Sequence, residues 1–208
     1  SDPESERLIY AYTRTDVKPQ EAYVVSRASA TGDLVWRLPI PTICGDGATY
    51  SGTSRIAVDS LYSPDGGGSG TLYVLCGMAY PSSTQVLSAV SRDGVPMWNF
   101  SSSPLQQGGS NQYGASIAAD GSVFVQEGRI GAVIQLDGHT GQLLSVTESL
   151  PAYGEGGYTG PVFPYGQGQG FARRALLTDT GSKYYVKDIV VQEVGALLPP
   201  TQARDGQV

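Results

Sequence analysis

Apolar and polar residues alternate along most of the chain, in short runs separated by clusters of Gly, Pro, Ser and Asp. A period of two places successive side chains on opposite faces of a strand, whereas a helical face repeats every ~3.6 residues. Runs of about four to eight residues bounded by turn residues are typical of strands. The pattern therefore predicts an all-β protein with many turns and almost no helix.

Three segments of the chain align with one another, and each contains a strand, a polar turn that ends in Gly, and a second strand. The turn glycines are Gly32, Gly94 and Gly141. Glycine readily adopts the positive φ that tight hairpin turns need, so each segment is predicted to be a β-hairpin. The glycine-rich loop at residues 65–70 lengthens the first interval. The underlying period is therefore about 45 residues, which is typical of a structural repeat.

A further hairpin precedes the second and third copies. Asp120-Gly121 lies between two short apolar runs and is a two-residue hairpin signal. Four short antiparallel strands per repeat are typical of a β-propeller blade, and we expect Ile56–Val58 and Ser116–Ala118 to lie on innermost strands. The predicted units are a partial blade at residues 7–40, blades at 43–104 and 113–150, a degenerate blade at 158–195, and a tail or linker at 196–208.

The segment at residues 113–125, followed by 133–144, resembles the repeat of quinoprotein (pyrroloquinoline-quinone-like) β-propellers. That repeat has small residues on the innermost strand, an Asp-Gly hairpin, and an outer strand that carries Trp. Trp36 and Trp98 match this tryptophan, and Ser145 departs from it in the third copy. The resemblance covers about residues 8–150 and implies a propeller fold, an architecture shared with WD40-like proteins. Enzymes of the family hold a quinone and calcium and use an Asp base, and no residue here matches those positions one by one.

Composition narrows the classes of partner. The chain has 208 residues, 13 basic and 19 acidic, with a formal net charge of −6. Nucleic-acid surfaces need a clustered basic face, so this balance argues against them. No apolar run approaches the ~18 residues of a membrane-spanning helix.

The two cysteines, Cys44 and Cys76, with a single histidine, cannot complete a four-ligand zinc site. They are either two buried thiols or one disulfide, and a disulfide requires Cα atoms within about 7 Å. Asn99-Phe100-Ser101 is an N-glycosylation sequon, and a glycan at Asn99 is possible in a secreted chain. Together these features favour an extracellular or secretory-pathway protein with a Cys44–Cys76 bridge.

The residues with possible chemistry all have a structural interpretation. Trp36 and Trp98 are expected to pack between blades, because large aromatic side chains fill the space between radiating sheets. His139 lies in an Asp-Gly-His-Thr-Gly turn, where Asp and Thr bond their own backbone. The isolated carboxylates of Asp33, Asp93, Asp120 and Asp137 also suit turns better than a calcium loop. We therefore predict no catalytic, cofactor-binding or metal-binding residues.

The glycine-rich stretch at residues 153–171 has two open interpretations. Alternating Tyr, Gly and Gln suits an adaptable binding surface, and it equally suits an irregular connection between blades. The candidate interaction loop consists of Tyr153, Tyr158, Tyr165 and Phe171.

Three functions remain open from the sequence. The first is a non-catalytic β-propeller module for protein interaction or structural assembly outside the cytosol. The others are a fragment of a quinoprotein-like oxidoreductase and a carbohydrate-binding propeller, so enzyme activity stays undecided. Two full blades and two incomplete ones would leave apolar faces exposed, and large exposed patches mark interfaces. We expect other protein chains, or more of the same polypeptide, to cover these faces.

Overall fold

The computed structural model describes residues 6–18, 20–46, 48–49, 55–58, 70–78, 85–101, 115–118, 120–126, 133–146, 162–165, 169–179 and 184–195. Most of these residues lie in strands, and the strands form four antiparallel sheets in chain order. Among the described strands, every hydrogen-bonded ladder stays within one sheet. The all-β prediction is confirmed.

Sheet 1 contains β1 (Arg7–Arg14), β2 (Glu21–Ala28) and β3 (Leu34–Pro39), in that order. Sheet 2 contains β4 (Ala48–Thr49), β5 (Arg55–Val58), β6 (Leu72–Met78), β7 (Gln85–Val90) and β8 (Pro96–Phe100). The short strands β4 and β5 pair with different parts of β6, so both occupy the same edge of sheet 2.

Sheet 3 contains β9 (Ala115–Ile117), β10 (Ser122–Gln126), β11 (Val133–Asp137) and β12 (Leu143–Val146), each paired with the next. Sheet 4 contains β13 (Phe163–Tyr165), β14 (Gln169–Asp179) and β15 (Tyr184–Gly195). The strands β5 and β9 are edge strands that contact one another, and β9 also contacts β13. One edge of each of the last three sheets therefore points to a common region.

A five-residue helix, α1 (Ile40–Cys44), connects sheets 1 and 2. Pro41 lies in its first turn, where proline costs no hydrogen bond, and Gly45 ends it with φ of 95°. Ile40, Ile43 and Cys44 are buried. The alternation that predicts strands elsewhere gives no warning of so short a helix, and its one turn is stabilised by packing rather than by propensity. No helix in the described ranges is long and apolar enough to cross a membrane.

The core consists of layers between successive sheets. One layer joins sheets 1 and 2 through α1, and its fully buried members include Val24, Ile40, Ile43, Leu72, Val74 and Val90. A second layer joins sheets 2 and 3, and its members include Tyr73, Leu75, Leu87, Val123, Ile134 and Leu136. A smaller layer of Ala118, Phe124, Val133 and Val162 lies beyond sheet 3. The inner strands of sheets 2 and 3 are therefore covered on both faces, whereas their outer strands β8 and β12 are largely exposed.

The prediction of a two-residue hairpin turn at Asp120-Gly121 is wrong in its length. The β9–β10 hairpin closes through bonds from the Ala118 amide to the Ser122 carbonyl and from the Gly121 amide to the Ala118 carbonyl. These bonds enclose three residues rather than two. Gly121 has φ of 83°, so the turn ends in a left-handed glycine that supplies the bulge of a three-residue hairpin.

Candidate interaction site

The last hairpin of each of sheets 1, 2 and 3 has a turn glycine with positive φ, and the turn contains four residues in sheets 1 and 3 and three in sheet 2. Gly32, Gly94 and Gly141 have φ of 75°, 80° and 72°. The fourth residue after each glycine is Trp36, Trp98 or Ser145. A register shift directly follows the pair that this residue makes with the neighbouring strand. The strand residues of the three sheets can therefore be aligned with one another from their register pairs.

Trp36 of sheet 1 is docked on the hairpin turn of sheet 2. Its indole Nε1 donates to the Arg92 carbonyl oxygen at 2.7 Å. The ring lies against Gly94, where a Cβ atom would stand 2.7 Å from the indole Cγ. The glycine thus serves two purposes, because it supplies the positive φ and leaves a flat surface for the ring.

Trp98 of sheet 2 is docked in the same way on the turn of sheet 3. Its Nε1 donates to the Gly138 carbonyl oxygen at 3.0 Å, and a Cβ on Gly141 would stand 2.6 Å from Cδ2 of the ring. Tyr73 also donates to the Gly138 carbonyl, at 3.2 Å. The prediction that both tryptophans pack between successive sheets is confirmed.

Gly138 is in close contact with Gly121 and Tyr73, and the sequence interpretation missed this role. A Cβ at this position would collide with the Gly121 carbonyl oxygen and would stand 2.5 Å from the Tyr73 hydroxyl. The Gly138 amide also donates to the Gly121 carbonyl at 3.1 Å. The available signal was the first glycine of the Asp-Gly-His-Thr-Gly turn, because Gly138, unlike Gly141, has no positive φ that would require glycine.

The hairpin turn of sheet 1 is different, since no described residue is docked on it. No described atom lies within 4 Å of the position that a Cβ on Gly32 would take. Residues 29–33 are all exposed, whereas Gly94 and Gly141 are half-buried and Gly138 is buried. Arg27 donates to the Gly32 carbonyl oxygen at 2.7 Å, which braces the turn from the side of its own sheet. We call residues 28–33 the open turn.

The sheet face beside the open turn is only partly covered by described residues. In sheet 2 the corresponding face carries Leu72, Val74 and Cys76 on β6, all buried against sheet 1. The register pairs of β1 and β2 place Leu8, Tyr10 and Tyr12 at the matching positions of sheet 1. Leu8 is 58% exposed, and no residue of β1 is fully buried. We call this surface the tyrosine face; it comprises Leu8, Tyr10, Tyr12, Arg14, Glu21, Tyr23, Arg27 and Arg37, which surround the buried Val25.

Polar groups on the tyrosine face bond to one another. Arg27 donates to the Tyr10 hydroxyl at 3.0 Å, and the Tyr12 and Tyr23 rings stack with centroids 5.5 Å apart. The Arg37 guanidinium lies 4.8 Å from the Tyr23 ring centre, a cation–π contact. The Tyr23 hydroxyl donates to Glu21 at 2.7 Å, and this hydrogen bond raises the pKa of Tyr23 above its usual value. These side chains therefore already contact one another within the tyrosine face.

Salt bridges at one end of the tyrosine face involve Arg14. This side chain bonds to Asp16 at 2.9 Å and lies 3.7 Å from Glu21. The hydrogen bond from Arg14 lowers the pKa of Asp16. Both partners are exposed, so such a pair contributes little to stability.

The predicted disulfide is present and lies on the covered side of sheet 1. Cys44 of α1 is bonded to Cys76 of β6, with Cα atoms 6.4 Å apart, so the disulfide prediction is confirmed. The Ser88 hydroxyl donates to the Cys44 sulfur at 3.3 Å. The bridge therefore fastens α1 to sheet 2 within the first core layer.

Asn99 lies close to α1. With its amide nitrogen turned toward acceptors, Nδ2 lies 2.9 Å from the Ile43 carbonyl oxygen and 2.9 Å from the Ser88 hydroxyl. A glycan on Nδ2 would leave one N–H to serve these acceptors. Glycosylation of Asn99 stays a prediction, and this geometry weighs against it.

The turn carboxylates behave as predicted where their bonds are described. Asp137 accepts hydrogen bonds from the Thr140 amide at 2.7 Å and the His139 amide at 2.9 Å. The bond from the Thr140 amide is the main reason why the pKa of Asp137 is lowered. Asp120 accepts from the Ser122 amide at 2.9 Å. His139 is an exposed member of its turn, as expected.

The candidate interaction loop is only partly described. Tyr153 and Tyr158 lie outside the described residues. Tyr165 and Phe171 lie in the paired strands β13 and β14, where Phe171 pairs with Phe163 and Tyr165 with Gln169, so these two residues are not in a loop. Elsewhere in the described ranges, no three His, Cys, Asp or Glu side chains form a group that could hold a metal.

Comparison with known proteins gives little further information. No protein-family model and no curated protein matches the chain. Among solved structures it is similar to a protein of unknown function from Bacteroides caccae, with a TM-score of 0.46 and 11% sequence identity over 93% of this chain. The chain spans 58% of the length of that protein. A similarity at this level carries no argument about function.

Proposed function

We propose that the chain forms consecutive blades of a quinoprotein-like β-propeller and acts as a non-catalytic module for protein interaction or structural assembly. The observation that carries this proposal is the contrast between the tyrosine face and the matching face of sheet 2. The same positions hold buried aliphatic and cysteine side chains in sheet 2 and partly exposed Tyr, Arg and Leu in sheet 1. A surface rich in partly exposed Tyr and Arg side chains is typical of protein–protein interfaces.

The arrangement as blades is supported by the way in which neighbouring sheets meet. Each docked Trp bridges from the outer strand of one sheet to the turn of the next. At the opposite edge, β5 contacts β9 and β9 contacts β13. Sheets that meet at inner edge strands and are joined at their outer strands fit the radial packing of a propeller.

A protein partner fits the tyrosine face better than a sugar. Protein interfaces are enriched in Tyr and Arg, and Leu8 adds exposed apolar area. The flat face that a sugar ring would need is already used, because Tyr12 and Arg37 both lie against the Tyr23 ring. The aromatic residues here are therefore better placed for contact along their edges and hydroxyl groups.

An extracellular or secretory-pathway location is part of the proposal. The Cys44–Cys76 bridge supports it, because disulfides form and persist in oxidising compartments.

Hydrogen–deuterium exchange tests the proposed function. The isolated 208-residue chain would be compared with the protein purified at its native size from its source. We expect amides of β1 to exchange faster in the isolated chain and to gain protection in the native assembly, with β6 equally protected in both. Equal exchange of β1 in both samples, or a bound quinone in the absorbance spectrum of the native protein, would contradict the proposal.

A further inference from the structure

Two tyrosine rings of neighbouring strands lie against one another on the tyrosine face. Tyr12 of β1 and Tyr23 of β2 are register partners, and their ring centres are 5.5 Å apart with 27° between the ring planes. Directly opposite residues of an antiparallel pair have Cβ atoms about 5 Å apart, so the two strands hold these rings together. The ring centre of Tyr10 is 6.3 Å from that of Tyr12. Tyr12 thus has its nearer ring neighbour on β2 rather than on its own strand.

The Tyr23 hydroxyl has a base within hydrogen-bond distance. It donates to the Glu21 carboxylate at 2.7 Å. A phenol that loses an electron becomes a strong acid, and a carboxylate in a short hydrogen bond can accept its proton in the same step. The Arg37 guanidinium lies 4.8 Å from the Tyr23 ring centre and opposes a positive charge on that ring. Removal of an electron from Tyr23 therefore requires loss of the proton, and Glu21 is placed to accept it.

The two rings are also open to an oxidant. Tyr12 and Tyr23 are half-buried, so each keeps an edge toward solvent, whereas the Tyr73 ring is only 1% exposed. Both cysteines of the sequence are bonded to each other in the Cys44–Cys76 bridge, so no free thiol competes for the oxidant. A neighbouring ring, a proton acceptor and access to solvent therefore coincide at Tyr23.

We propose that Tyr12 and Tyr23 form a site of oxidative modification, at which a one-electron oxidant joins the two rings as dityrosine. A haem peroxidase with hydrogen peroxide is the class of oxidant that the reaction needs. Each tyrosine gives up one electron and its phenolic proton, and the proton of Tyr23 passes to Glu21. The two radicals join through ring carbons next to their hydroxyl groups, and the protons that these carbons then lose restore both hydroxyls. The O–O bond of the peroxide breaks, and its oxygens leave as two water molecules that contain the two electrons and two protons.

The product is a covalent connection between β1 and β2 on the tyrosine face. It lies on the opposite side of sheet 1 from the Cys44–Cys76 bridge, which fastens α1 to sheet 2. This inference goes beyond the proposed function, because the crosslink forms within one chain and needs no partner.

Mass spectrometry of the peroxidase-treated chain tests the inference. Trypsin cleavage at the arginines places Tyr12 in the peptide 8–14 and Tyr23 in the peptide 15–27, since Lys18 is followed by proline and is not cleaved. We expect these two peptides to be recovered as one linked species that lacks two hydrogen atoms and has dityrosine fluorescence. When isotope-labelled and unlabelled chains are mixed before oxidation, both halves of each linked species should carry the same label.

Conservative variants identify the residues that react. Tyr12→Phe and Tyr23→Phe keep the ring and remove the phenol, so either should abolish the linked species, while the matched control Tyr10→Phe should retain it. Glu21→Gln keeps an acceptor for the Tyr23 hydroxyl and cannot take up a proton, so the rate of linking should fall at least about tenfold. Asp16→Asn removes an exposed carboxylate of the same salt-bridge cluster and should leave the rate unchanged.

Three results would overturn the inference. These are the absence of the linked peptides, their persistence in Tyr12→Phe or Tyr23→Phe, and pairs of mixed isotope label, which would place the link between two copies. An unchanged rate with Glu21→Gln would overturn the role of Glu21 as proton acceptor. The proposed function fails separately, because its test follows the exchange of β1 in the native assembly and not the oxidation of the chain alone.

Discussion

The hairpin turns of sheet 1 and sheet 3 share one backbone conformation and have different surroundings. Gly141 is covered by the ring of Trp98, while no described atom lies within 4 Å of the matching position on Gly32. The positive φ explains glycine at both sites, because either turn would strain a residue with a side chain. Only the contact with an indole explains why the surface of Gly141 must also stay flat. A glycine that looks equivalent in sequence can thus have one structural role or two.

The strands beside these turns differ in the same direction. The strand β6 is buried almost along its whole length, whereas β1, in the matching position, has no fully buried residue. Leu72 and Leu8 occupy matching register positions, and their exposures are 0% and 58%. Because both residues are leucine, this difference in exposure comes from the neighbouring sheet, which covers Leu72 and leaves Leu8 exposed. Sheet 1 is therefore the part of the protein on which the proposed interaction depends.

Loss of the disulfide should have the largest effect and should weaken the covered side of sheet 1. Replacement of both Cys44 and Cys76 by Ala opens a crosslink with a sequence separation of 32. We expect the free energy of unfolding to fall by about 3–4 kcal/mol, from the entropy gained by the unfolded chain. Chemical denaturation measures this loss. NMR of Gly94 and Gly141 shows whether the contact of Trp36 with Gly94, which is nearer to the disulfide, weakens before the contact of Trp98 with Gly141. An unchanged denaturation midpoint would contradict the stabilising role of the bridge.

Removal of a docked indole should come next. For Trp98→Ala we expect a loss of about 3 kcal/mol, because the substitution removes a large half-buried ring and leaves a cavity between sheets 2 and 3. Leu143→Ala is a suitable control, since Leu143 is 51% exposed on an outer strand. Urea denaturation should show a clear shift for the first variant and almost none for the second. Equal shifts would mean that the ring contributes no more than an exposed leucine.

The same substitution in the docked and open turns separates the two roles of glycine. Gly141→Asn places a Cβ 2.6 Å from the Trp98 ring, so we expect a loss of about 2 kcal/mol from overpacking. Gly32→Asn meets no described atom, and Asn tolerates positive φ, so the loss should stay below about 1 kcal/mol. Denaturation midpoints of the two variants give the comparison. A Gly32→Asn variant as unstable as Gly141→Asn would show that the open turn is covered.

Acid should weaken the turn of sheet 3 by a smaller amount. The hydrogen bond from the Thr140 amide lowers the pKa of Asp137 in the folded protein. The ionised carboxylate therefore stabilises the fold fully at pH values above the unfolded pKa of about 3.9. As pH falls through the lower folded pKa, protonation removes that contribution. The wild type should therefore lose its advantage over Asp137→Asn as pH falls below about 4. Asp33→Asn, which changes the open turn, is the matched control, and a difference independent of pH for Asp137→Asn would contradict this role.

Much of the fold could be predicted from the sequence because strand alternation and turn glycines are local signals. The distance of four residues from Gly32 to Trp36 and from Gly94 to Trp98 identifies the hairpins and their outer strands. The helix α1 could not be predicted, since its single turn is held by the burial of Ile40 and Ile43 between two sheets. The tyrosine face could not be predicted from the sequence either. Tyr10 and Tyr12 alternate like any strand residues, and only the register with β2 shows that they replace buried positions.

The most direct test of the account is the NMR spectrum of the isolated chain at the three turn glycines. If Trp36 and Trp98 lie on Gly94 and Gly141, the α-protons of these two glycines should resonate well upfield of ordinary glycine values. The α-protons of Gly32, on which no described residue is docked, should resonate close to ordinary values. Ring-current shifts at all three glycines, or at none, would contradict the distinction between docked and open turns.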